Sequence, residues 1–495
     1  MATTPQAPPA APSSGDRIDP HVLRIALTII IGALAVVFDS TIISVAINDL
    51  GRDLHAPLST IQWVSTAYLL ALAVTMPIAG WAQAVLGGKR LWLISLCTFL
   101  AGSILSASAW SAPDLIAFRV VQGAGGGLMM TLTATLIMQA AGGRNIGKIM
   151  SVITVPTALG PVLGPVLGGV ILHFGDWRWM FLINIPFCLV GAYLAWRNLP
   201  ASEPVTPRPP LDVVGLLLFS PGVAAVIYGL SRIDGTSGIA SVPVLTPLLG
   251  GLALVAAFVA WALHRRTNAL VDIRLLRHRS LASASVSLVL CGAALYGTML
   301  LLPLYFQQVR GATALGAGLI LIPQGIGTLL SRSIAGKLTD TLGPRAVAFA
   351  SLLIACLATI PFAFVTADTG EVFLMAVLLV RGIGLGAAMI PLSGAGFSGM
   401  SRDEIPHASI LIRVTQQLGG SLGIAVLTVV LQHALTGAHT SAALAHGFQQ
   451  SFWWAVIFTA IAVLVSLLLP GKPKLTQPEP HSAAPGQREQ ASETA

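Results

Sequence analysis

Two kinds of residue in this sequence could do chemistry inside an otherwise apolar chain. Asp39 is the only acidic residue well inside a predicted membrane span. A charge at that depth costs about 2.5–3.5 kcal/mol on insertion scales, so an intramembrane carboxylate is by default a functional residue. Burial favours the neutral form of a carboxyl group, so such a group can take up and release a proton as its surroundings change. The competing reading is a carboxylate locked to an arginine as structural glue. Arg119, in the fourth span, is the natural partner at a similar depth. Because an arginine keeps its proton in a protein, it can bias the carboxylate but cannot itself carry the proton. Asp114 competes for it from the same helix, about one and a half turns away. Gln122 and Gly123 follow Arg119 and can offer a side-chain hydrogen bond and a close backbone approach. Arg381 either mirrors Arg119 or pairs with Glu371, and a structural role is expected for it.

The second kind is conformational. Gly160, Gly164 and Gly168 recur every four residues, with Gly169 beside them. On a helix they form a bare stripe that lets another helix approach backbone to backbone. Pro161 and Pro165 follow the same spacing, each removing an N–H, so the helix is predicted to bend. A bent, glycine-faced helix suits a moving interface, although glycine and proline are common in membrane helices anyway. A third, looser set consists of uncharged polar residues in apolar spans: Gln62, Tyr68, Tyr296, Gln307, Gln308, Gln324, Gln416 and Gln417. Singly each reads as a helix–helix hydrogen bond; together they could line a cavity for an amphipathic or apolar ligand.

The elements that position these residues follow from composition. The 495 residues are 55% hydrophobic and 9% charged, with a mean hydropathy of +0.82. A soluble domain carries roughly 25% charged residues. The chain is therefore read as an all-α integral membrane protein, with apolar runs of about 20 residues throughout. Cys97, Cys188, Cys291 and Cys356 lie singly in different runs, so neither a disulfide framework nor a metal site is expected.

Fourteen spans are predicted, at 25–47, 60–82, 90–110, 114–139, 149–173, 179–198, 212–231, 242–264, 281–306, 315–337, 345–366, 370–396, 408–434 and 447–470. With the N-terminus inside, 21 Lys and Arg residues fall in cytoplasmic segments against four in outer loops. That bias supports an even span count with both ends cytoplasmic. Residues 1–20 and 471–495 read as disordered tails, and the basic loop near 265–280 is explained by charge steering of topology.

An internal repeat organises the spans. FRVVQGAGGG, with Arg119, returns as VRGIGLGAA, with Arg381; GWAQAVLGGKR returns as GKLTDTLGPR; and the stripe at 160–169 answers LGGSLG at 418–423. The domains are then an N-terminal six-helix half (21–200), an inserted helix pair with the basic loop (201–280), and a C-terminal six-helix half (281–470). Two parallel halves place a substrate site between them near the midplane.

These motifs together resemble the major facilitator superfamily and, within it, the fourteen-span drug:proton antiporter family, over about residues 20–470. FDSTIISVAI looks like that family's span-one motif, which puts its acidic position on Asp39. FRVVQG resembles the span-four motif, and LGPVLGPVLGG the span-five motif of exporters, generally missing from uptake carriers. WRWMFLINIP and LLPLYFQQVRG are similar to signatures of spans six and nine. Two departures stand out. Ala84 and Val85 occupy the usual Asp and Arg positions of the loop after span two, whereas the repeat copy keeps Asp340. Span one ends in Asn48, where the family often has proline.

The resemblance implies a proton-coupled exporter of amphipathic small molecules in the cytoplasmic membrane, not an enzyme. It needs no cofactor beyond the proton gradient. Its expected partners are its cargo, protons and lipid, with no nucleic acid, as a monomer; in a Gram-negative cell a periplasmic adaptor joins them. The alternatives are a dedicated exporter of one metabolite or antibiotic, and an uptake carrier. No GxxxxGK[ST] occurs, and the ten histidines fall in tails, loops or span ends, which argues against an ATP-driven pump or a membrane enzyme.

Overall fold

The computed structural model describes residues 19–141, 160, 163–200, 210–232, 241–265, 271–400, 404–436 and 440–471. The two tails, Pro161, the first part of the fifth predicted span and residues 266–270 of the basic loop lie outside the described residues. Every described element is helical. Thirteen helices are long and apolar enough to cross a membrane, and a shorter apolar helix, Leu163–Phe174, stands in fifth place.

In chain order the membrane helices are α1 (Pro20–Ile42), α2 (Leu58–Thr75), α3 (Gly88–Ala107), α4 (Ala112–Ala141), α5 (Leu163–Phe174), α6 (Asn184–Asn198) and α7 (Val213–Ser231). They continue as α8 (Val242–His264), α9 (Arg279–Gln308), α10 (Ile322–Leu342), α11 (Pro344–Thr359), α12 (Glu371–Ala395), α13 (Ile405–Leu435) and α14 (Ser441–Ser466). Their starts carry local signals. Asp19 caps α1 by accepting from the His21 N–H at 2.8 Å, with Pro20 in the first turn, where its missing N–H costs nothing. The loop repeat is geometric as well: Gly87 (φ 79°) and Gly343 (φ 88°) both precede a helix in the left-handed region, where glycine fits and other residues strain.

Span one differs from its prediction in one respect. The α-helix stops at Ile42, tightens into a 3-10 turn over Ile43–Val45, and restarts as Ile47–Asp53. Span two likewise breaks at Pro77, beyond which Ile78–Leu86 forms a separate short helix.

The repeat appears in the packing. In the N-terminal half α1 packs on α4 and α6, α4 on α2 and α3, and α3 on α6. In the C-terminal half α9 packs on α12 and α14, α12 on α10 and α11, and α11 on α14. Each contact in one half has its counterpart eight helices later. The glycine stripes join these frames. Gly160, Gly164 and Gly168 face Val37, Thr41 and Ile42 of α1, while Gly419 and Gly423 face Val289 and Ala293 of α9. The halves meet through α2 against α13, and through α5 against the short helix Ala314–Ile320 that precedes α10. The inserted pair α7 and α8 pack on one another with Gly222 and Gly251 at their contact, and only α7 leans on α2 and α13. It is peripheral to the site.

Candidate functional site

Asp39 lies in the last turn of α1, 0% exposed, and Arg119 in α4 is 1% exposed. They form an ion pair between Arg119 Nη1 and Asp39 Oδ2. The other carboxylate oxygen accepts from Gln122 Nε2 at 2.8 Å and from Asn184 Nδ2 at 3.1 Å. Both amides also donate to Ser103 Oγ, at 2.7 and 3.1 Å, and Gln122 Oε1 accepts from Arg119 Nη1 at 2.7 Å. Arg119 Nε donates to the Val64 carbonyl at 3.0 Å, and its guanidinium lies 3.9 Å from the centre of the Tyr68 ring. Five helices, α1, α2, α3, α4 and α6, thus converge on one carboxylate.

Small residues make the convergence possible. A Cβ on Gly123 would sit 2.6 Å from the Tyr68 carbonyl oxygen, and one on Gly102 would sit 2.5 Å from the Gln122 backbone. Gly123 of α4 and Gly102 of α3 therefore let α2 and α3 close around α4 beside Arg119. The result is an anion with three donors and a cation with a countercharge, the condition under which buried charge is tolerated. Removing one member of such a pair typically costs about 3–5 kcal/mol.

Asp39 is also tied to the glycine stripe. Thr41, two residues on, donates from Oγ1 to the Gly160 carbonyl at 3.0 Å. A Cβ on Gly164 would fall on that same hydroxyl. The carboxylate and the bare face of α5 therefore act on one turn of α1, immediately before its helix breaks.

Of the residues read from the sequence, the structure brings together Asp39, Arg119, Gln122, Gly123 and Tyr68. It adds Asn184 and Ser103, which were missed. Asn184 stands in the WRWMFLINIP motif, where a lone amide in an apolar run was the available signal; nothing set Ser103 apart from its neighbours. Asp114 is placed elsewhere, bonded to Ser111 in the first turn of α4 and away from Arg119.

Arg381 mirrors Arg119 in α12 and does not pair with Glu371. It donates to Gln324 Oε1 at 2.8 Å, to Thr359 Oγ1 at 3.2 Å, and to Thr298. Asp340 is exposed at the end of α10 without an ion pair among the described residues. In the first half, where Ala84 and Val85 stand, Gln83 Nε2 bonds Gln139 Oε1 of α4 at 3.1 Å, and Lys89 Nζ bonds the Trp196 carbonyl at 2.6 Å. Those contacts tie the loop to α4 and α6 without the usual charged pair.

The polar set divides. Tyr68 and Tyr296 face each other across a crevice between the halves, with Ser40, Ser44, Ser65, Arg119, Met299 and Ile424. The crevice holds about 20 Å³, room for about one water. Gln416 contacts Met389 Sδ at 3.6 Å, and Gln417 stands beside it, part-buried on α13. Gln62 is fully buried with neither amide atom bonded. Gln307 and Gln308 do not line the centre. They sit at the far end of α9, where Gln307 Nε2 donates to the Val45 carbonyl at 2.8 Å and Gln308 reaches Asn48 at 3.5 Å. Gln307 thereby fastens the C-terminal half to the 3-10 turn of α1.

Above that contact opens a second cavity of about 430 Å³, lined by Asn48, Asp49, Arg52, His173, Gln307 and Thr313 among others. Burial lifts the Asp49 carboxyl above its ordinary value, opposed by Arg52 and reinforced by Asp53. At this end the halves are in contact, since Gly169 meets Ala314 and Leu315 and Gly318 meets Pro165.

Known proteins share this plan. Residues 29–424 match the family model described as Major Facilitator Superfamily. A multidrug resistance protein B homolog of Mycobacterium tuberculosis is 36% identical over 87% of this chain and 81% of its own. The lincomycin resistance protein LmrB of Listeria monocytogenes is 25% identical over 92% and 98%. Among solved structures, a D-xylose–proton symporter superimposes with a TM-score of 0.64 at 16% identity, covering 91% of this chain and 98% of that one; at such identity the likeness speaks for the fold alone. The repeated helix packing and the buried Asp39–Arg119 pair thus sit in a multi-pass membrane chain that belongs to the Major Facilitator Superfamily.

Proposed function

We propose that this protein is a proton-coupled exporter that expels amphipathic or lipophilic small molecules across the cytoplasmic membrane, with both termini cytoplasmic. The observation that carries the proposal is the Asp39–Arg119 pair, fastened through Thr41 to the glycine face of α5. Asp39 takes a proton from outside, which weakens its hold on Arg119, and releases it inside, where the pair re-forms. Because Asp39 and the stripe act on the same turn of α1, protonation is linked to how α5 seats on α1, and so to rocking of the halves. A proton's fall through the potential supplies about 2.3 kcal/mol per 100 mV before any pH gradient. No cofactor other than that gradient takes part, and the working unit is a monomer in lipid.

Export rather than uptake is favoured by the names of the relatives, which are resistance proteins, and by the stripe's seat on α1. A pump dedicated to one metabolite or antibiotic is the second reading. The small central crevice, with the halves in contact at the expected outer end, fits a cycle viewed between cargo-loading events.

The test is efflux of a neutral lipophilic dye, Nile red, from energised cells with and without the protein. Faster efflux with the protein, stopped by a protonophore while ATP is held constant, is the expected result. Efflux that persists after the gradient collapses, or no gain over cells lacking the protein, contradicts the proposal.

A further inference from the structure

Inside the membrane helices, the two copies of the repeat differ in the charge that faces their arginine. Arg119 and Arg381 stand 262 residues apart in equivalent helices, α4 and α12. Val37 of α1 lies against Gly160 as Tyr296 of α9 lies against Gly420, and this step of 259 residues carries Asp39 onto Thr298. Thr298 does bond Arg381, as Asp39 bonds Arg119, but it brings no charge. The remaining acceptors of Arg381 are Gln324 Oε1, Thr359 Oγ1 and the Ala294 carbonyl, all neutral. The acid within its own helix, Glu371, lies ten residues away, about 15 Å along the axis. Arg381 is 1% exposed, so it has lost its hydration without gaining a countercharge.

The N-terminal half adds a second observation. Asp39 is wholly buried, and its oxygens are committed to Arg119, Gln122 and Asn184. The group that faces the crevice between the halves is Arg119. The opposite wall is formed in part by Tyr296, Met299 and Leu300 of α9, which flank Thr298 in the sequence. Arg381 therefore sits behind that wall, and its charge acts in a medium that screens far less than water. Gln324, which covers one Nη1 hydrogen, is only part-buried, so an acceptor that displaces it can reach the guanidinium.

We infer that Arg381 sets the charge preference of the cargo site: the site takes anionic or acceptor-rich neutral amphipaths and rejects permanent cations. The inference rests on the exporter reading, and it narrows the substrate class. It also explains why the carboxylate is present in only one half. One acid serves the proton, and the other half keeps its arginine unneutralised for cargo. Protonating Asp39 leaves Arg119 uncompensated too, so a cation finds no more favourable stage of the cycle.

Binding tests this apart from transport. Purified full-length protein in detergent is titrated into fluorescein and into rhodamine 6G, an anion and a cation on one xanthene skeleton, and anisotropy is read against empty micelles. Fluorescein is expected to bind at least tenfold more tightly. Thr298→Asp supplies Arg381 with the carboxylate that the repeat omits and is expected to erase or invert the ratio; should it not fold, Arg381→Gln reads the same charge. A parent that binds rhodamine 6G more tightly, a ratio unchanged in folded Thr298→Asp or Arg381→Gln, or binding of neither dye overturns the inference. Failure of the exporter reading is seen separately, as absence of energised Nile red efflux with the binding ratio intact.

Discussion

Asp39→Asn is expected to reduce proton-driven efflux to background while the protein still reaches the membrane. Asparagine keeps the shape of the site, and its oxygen still accepts from Gln122 and Asn184. It cannot alternate between charged and neutral forms, so the step that links the gradient to α1 is lost. The substitution also leaves Arg119 buried beside a neutral group, and breaking a buried pair from one side costs about 3–5 kcal/mol. A lower midpoint in a thermal unfolding scan should therefore accompany the loss of efflux. Removing both charges separates the two effects: Asp39→Asn with Arg119→Gln should recover much of the stability and none of the coupling, since the pair acts as a unit. Protonophore-sensitive efflux at the parent rate from Asp39→Asn would show that the coupling proton binds elsewhere.

Gly164→Ala is the second large effect. The added methyl would meet Thr41 Oγ1 and lie 2.7 Å from Thr41 Cβ, where no carbon can remain without a shift. Overpacking of this kind costs about 1–3 kcal/mol. Where the cost falls on the moving contact between α5 and α1, each 1.4 kcal/mol slows transport about tenfold. Efflux should therefore drop by about 5- to 150-fold with expression unchanged. Gly250→Ala in α8, where nothing lies within 4 Å of the added Cβ, should be silent. Thr41→Gly introduced beside Gly164→Ala should restore part of the rate. If Gly164→Ala transports normally, the stripe is a packing detail and no moving interface.

These two positions show what a sequence displays and what it conceals. The apolar helices were legible because membrane insertion demands long apolar runs, and their repeat because the motifs around Arg119 recur around Arg381, both local signals. Asp39 and Arg119 were legible for the same reason: charge in an apolar run is conspicuous, and their depths matched. Asn184 and Ser103 were not, since uncharged polar residues are frequent in membrane helices, and only folding reveals which of them meet. Gln307 and Gln308 illustrate the opposite error. Their type suggested a cavity lining, but their position at the end of α9 makes them a tie to the irregular turn at Val45. That turn was itself hidden, because Ile43–Val45 is as apolar as the helix before it and carries no proline or glycine. Asp114 was weighed as a rival partner by distance along one helix. Ser111, three residues before it, offers a nearer hydroxyl and holds it at the helix start.

The most direct measurement is of proton and cargo movement together. Purified protein is reconstituted into liposomes enclosing a pH-sensitive dye, and Nile red is added outside with no other gradient. Cargo entering down its gradient should drive protons out, so that the lumen turns alkaline, and Asp39→Asn should leave the lumen unchanged. Cargo entry with a steady lumen pH in the parent, or with acidification, would contradict exchange of cargo for protons at Asp39.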